Sequence, residues 1–67
     1  MNAQHLETTL AITQHRLRQH DLPLTTLRIR NAEVVVFPHG LHVLEDGVPL
    51  TWRPVGLELA AELIATT

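Results

Sequence analysis

Apolar residues recur at Ala3, Leu6, Leu10 and Leu17, at helical spacings. Residues 3–20 therefore predict an amphipathic helix. Glu7, Gln14, Arg18 and Gln19 supply its polar side. Thr8, Thr9 and Thr13 lower the intrinsic preference, because branching at Cβ restricts their rotamers. The helix ends at Asp21-Leu22-Pro23, since a residue before proline is biased out of helical geometry.

The pattern then changes to a period of two. Residues 24–30 alternate, with Leu27 and Ile29 on one side and Arg28 and Arg30 on the other. Residues 33–37 are the densest β-branched run, and Pro38-His39-Gly40 breaks it. Residues 41–45 follow, then Asp46-Gly47, then 48–52. An Asp-Gly pair between apolar runs is a strong hairpin signal. Pro49 cannot donate to a ladder, which makes the last strand an edge strand. Asn31-Ala32 fits either a turn or a bulge inside a longer strand.

Residues 54–65 predict a second helix, with Pro54 in its first turn. Leu57, Ala60, Ala61 and Ile64 form one stripe. Leu59 and Leu63 widen it beyond what one sheet face needs. Glu58 and Glu62 mark the wet side. The fold class is α+β: a small antiparallel meander of three or four strands with an N-terminal and a C-terminal helix, in one domain of residues 1–67. The simplest burial of these stripes is in two layers.

The strands carry more apolar residues than one covered face requires. Val34 and Val36 fall on one side of their strand, and Val35 and Phe37 on the other. Leu41, Val43 and Leu44 also occupy both sides. The second face is covered either by a helix on each side or a bulge that rotates the strand, or by a partner chain. The partner reading makes Val35, Phe37, Leu44, Leu59 and Leu63 the candidate protein interface, with a second copy of the chain as the expected partner.

Composition narrows the function classes. The chain has 67 residues and no cysteine, so disulfides and thiolate zinc sites are excluded. Leu, Val, Ile and Phe make up a third of it, enough for a core. No apolar run reaches membrane-helix length, and residues 1–5 lack a signal-peptide pattern, so a cytoplasmic protein is expected.

The charge is uneven. Residues 1–32 carry +2 and residues 33–67 carry −4, giving the net −2. Arg16, Arg18, Arg28 and Arg30 form the candidate nucleic-acid contact set of the alternative reading. The order α-β-β-β-α is similar in topology to the double-stranded-RNA-binding domain, although this chain has no lysine and is acidic overall.

Five histidines stand at positions 5, 15, 20, 39 and 42. None of their spacings matches a zinc motif, so no metal is expected. Without serine or cysteine, no local arrangement supplies a nucleophile with its base. The three glycines are isolated, so there is no phosphate loop. No enzymatic activity and no cofactor are expected. Trp52 is expected to pack in the core against Val55 or Leu57. The sequence thus points to a small protein-binding regulator, inhibitor or assembly subunit that is homodimeric, with nucleic-acid binding as the alternative.

Overall fold

A computed structural model describes residues 3–67. The order is α1 (Ala3–Gln19), β1 (Thr25–Ile29), β2 (Ala32–Phe37), β3 (Gly40–Glu45), β4 (Val48–Pro49) and α2 (Leu57–Thr66). The four strands form one antiparallel sheet in the order β1-β2-β3-β4. The expected meander between two helices is what the chain forms.

Both helices pack on the same face of that sheet. Leu6, Leu10 and Leu17 from α1 meet Ala60, Ala61 and Ile64 from α2 over Ala32, Val34, Val36, Leu41 and Val43. All are buried, and they make one core. The threonines of α1 turn inward on their own helix: the hydroxyls of Thr8, Thr9 and Thr13 donate to the carbonyls of Gln4, His5 and Thr9. This satisfies polar groups that otherwise compete with the helical backbone.

The C-terminus of α1 is a Schellman turn. Asp21 takes φ 57, the Leu22 N–H donates to the Leu17 carbonyl, and the Asp21 N–H donates to that of Arg18. These bonds occupy carbonyls that a helix end leaves orphaned. Asp46 and Gly47 both have positive φ, at 53 and 81, as a two-residue hairpin loop of the primed type requires. Pro38-His39 closes the middle hairpin and Arg30-Asn31 the first.

Five sequence expectations are corrected. Gln14 is buried, not on the polar side of α1. Its Nε2 donates to the carbonyls of Phe37 and Gly40, at 3.1 and 3.2 Å. Arg30 lies in a turn at φ 57 and not on the strand face with Arg28. The choice at Asn31-Ala32 resolves to a turn placed one residue earlier, on Arg30-Asn31, because Ala32 already pairs with Ile29. The second helix starts at Leu57, behind an extended Gly56 cap. Before it, Val55 pairs with Leu41, exchanging bonds of 3.0 and 2.7 Å. A residue held in that bridge cannot also be helical.

The fifth concerns Trp52, which is 100% exposed. β4 covers only Val48–Pro49. The chain leaves the sheet edge after the Leu50 N–H bonds the Val43 carbonyl, and it returns at Val55. Trp52 sits at the tip of that excursion, which the Thr51 hydroxyl braces by donating to the Arg53 carbonyl at 2.8 Å. No described helix is long and apolar enough to cross a membrane.

Candidate protein-docking surface

With both helices on one side, none of the described residues forms a covering layer on the opposite sheet face. The register places Thr26 and Arg28 of β1 there, beside Glu33 and Val35 of β2, His42 and Leu44 of β3, and Pro49 of β4. Phe37 shares the face, because strand residues two apart point the same way. Val34 and Val36, one residue out of phase, are fully buried, whereas Val35, Phe37 and Leu44 are only half-buried.

Two rows run across this face. Thr26, Val35 and His42 stand side by side, and so do Arg28, Glu33, Leu44 and Pro49. His42 also meets the Phe37 ring edge to face, with centroids 6.2 Å apart and planes at 89°. This is the preferred geometry for two rings of opposite edge and face polarity. The apolar centre is flanked by one cation, Arg28, and one anion, Glu33.

The face continues into an open groove lined by His42, Pro49, Leu50, Thr51 and Trp52. Sequence reasoning missed this groove. No local signal marks it, because the ladder runs past Pro49 to the Leu50 N–H before the chain departs.

Of the candidate interface residues, the fold brings Val35, Phe37 and Leu44 together and leaves Leu59 and Leu63 elsewhere. Leu59 is 45% exposed on α2, in the other layer, and Leu63 packs against the core.

The four arginines are dispersed. Arg18 donates to the Pro38 carbonyl at 2.6 Å, beside the turn that Gln14 holds. Arg30 is in the turn at the opposite end of the strands, roughly 17 Å away for strands of this length. Arg28 points from the open face, and at the end of the sheet it lines a polar recess together with Asn31, Glu45, Asp46 and Thr67. Arg16 is exposed on α1. Among the described residues no group of three or more potential metal ligands comes together.

Comparison with known protein families, curated proteins and solved structures finds no match.

Proposed function

We propose that the protein is a non-enzymatic interaction module that binds protein through the open sheet face, and that it works as a homodimer. The observation that carries this reading is the half-buried group of Val35, Phe37 and Leu44 on the sheet face opposite the one that both helices pack on. Contiguous apolar surface on a small domain marks an interaction site more often than it marks nothing. Covering a few hundred Å² of it contributes on the order of 5–10 kcal/mol before association costs of similar size. The single Arg28 and single Glu33 make the face nearly neutral, which suits a second copy better than a highly charged partner.

The arginine-based alternative has less support. Its four residues do not share a surface, Arg18 is engaged at Pro38, and acidic groups surround Arg28. Phosphate binding draws on clustered cations.

Sedimentation at micromolar concentration tests the reading. A folded Val35→Glu protein with half the sedimenting mass of the wild type supports it. A wild-type monomer with a concentration-independent melt removes the self-association part, and retention on duplex nucleic acid at low salt with a steep salt slope would move the reading to the alternative.

A further inference from the structure

The sheet has two edges, and the chain treats them differently. The β4 edge is closed. β4 is only Val48–Pro49, Pro49 has no N–H to offer outward, residues 51–54 swing away after the Leu50 N–H bonds the Val43 carbonyl, and Val55 then occupies both outward groups of Leu41. The β1 edge carries none of these devices. Thr25–Ile29 contain no proline and no glycine, and they pair with β2 without a bulge. The helices pack chiefly against β2 and β3. Soluble monomers blunt exposed edges with prolines, bulges, coverage or charge, and of these devices the β1 edge carries a single charge, Arg28.

The direction of the free groups follows from the bonds. Leu41 bonds outward to Val55. In an antiparallel ladder, inward and outward bonding alternate along each strand. Carried across the register, this points the main-chain groups of Thr25, Leu27 and Ile29 toward β2. The N–H and C=O groups of Thr26 and Arg28 then face off the open edge. On the helix side of the same strand, Leu27 and Ile29 are only half-buried, and Leu24 just before it is 47% exposed.

We infer that β1 is a self-association edge: two copies pair β1 to β1, antiparallel, about a two-fold axis at Leu27, to make one eight-stranded sheet. This surface is separate from the open face and does not depend on the docking reading. Self-pairing is favoured over a foreign strand by how the residues fall. Centring on Leu27 uses all five residues of each strand. It sets Thr26 of one copy against Arg28 of the other, so that these residues exchange their free bonds in both directions. Leu27 meets Leu27 at the axis on the helix side. A one-residue shift toward the turn would instead oppose the two Arg28 side chains, and like charges directly opposite are unfavourable. The shift the other way leaves Arg28 outside the ladder. The two-fold axis stands perpendicular to the sheet, so all four helices stay on one side and the two open faces join into one surface. Because the β4 edges are closed, edge pairing stops at two copies.

Amide hydrogen exchange on the wild-type protein tests this without any variant. At a concentration where the protein is dimeric, the Thr26 and Arg28 amides should exchange about 100-fold or more slowly than unprotected amides, like those of Leu27 and Ile29. A dimer formed only through the open face leaves Thr26 and Arg28 unprotected, and that result overturns the inference, as does a protein that stays monomeric at millimolar concentration. Val35→Glu should leave the two protections unchanged, which separates this edge from the face. Thr26→Pro removes a donor that the chain's own sheet does not use, so the fold should persist while Arg28 loses its protection. Protection of Arg28 that survives in a folded Thr26→Pro protein would also overturn the inference.

Discussion

Gln14 and Gly40 are joined across the two layers: the buried Gln14 Nε2 donates to the Gly40 carbonyl at 3.2 Å, from the middle of α1 to the start of β3. The same nitrogen reaches the Phe37 carbonyl, so one side chain holds both ends of the Pro38-His39 turn. Gln14→Leu fills the same space but leaves the Gly40 oxygen buried without this donor. It should cost about 2 kcal/mol. In a domain of this size that lowers the melting temperature by roughly 10 °C, read by circular dichroism.

Gly40 is held to glycine by its neighbour. A Cβ placed there would sit 2.9 Å from Cβ of Pro54. Gly40→Ala should therefore destabilise by about 1–3 kcal/mol, the usual range for an overpacked site. Pro54→Gly removes the atom being struck. In a double-mutant cycle by urea denaturation, the second change should recover part of the loss made by the first.

Two turns carry residues whose backbone favours another choice. Asp21 and Arg30 sit at φ 57 without being glycine. Asp21 also places a negative charge at a helix C-terminus, where the dipole is unfavourable to it. Asp21→Gly and Arg30→Gly should each raise stability by about 0.5–1 kcal/mol, because relief of left-handed strain exceeds the entropy cost of glycine. Gly47→Val, at φ 81, should do the opposite, and the urea midpoints of the three variants give the comparison.

Trp52 is the only indole and lies wholly outside the core. Its fluorescence should resemble that of tryptophan in water and be quenched freely by acrylamide. Trp52→Ala should change the stability by no more than about 0.5 kcal/mol. A blue shift on adding a binding partner would place that partner on the groove beside His42 and Leu50.

How the elements lie along the chain was legible because each had a local cause. Leu6, Leu10 and Leu17 mark a helical face by spacing alone, and Asp46-Gly47 specifies a turn by backbone preference. Val34 and Val36 separated from Val35 and Phe37 by simple alternation. What was not legible depended on contacts far apart in sequence. Gln14 reads as surface until two carbonyls more than twenty positions away are found to need its amide. Trp52 reads as core until Val55 is seen to be captured by Leu41, which throws the intervening loop outward. That both helices choose one side of the sheet, and so leave Val35, Phe37 and Leu44 uncovered, is a tertiary decision that no short window of sequence expresses.

The strand order has a kinetic consequence. Every strand of the sheet is bonded to its neighbour in sequence, through turns of two residues. Closing such short loops costs little chain entropy, and chains dominated by near-neighbour pairings fold quickly. The helix pair is different: α1 and α2 touch although the whole meander separates them in sequence, so their contact is expected to form last. Truncations in that late contact, such as Leu6→Ala or Ile64→Val, should steepen escape from the native state while barely changing the rate of reaching it. In a chevron plot the unfolding limb would rise and the folding limb would stay in place.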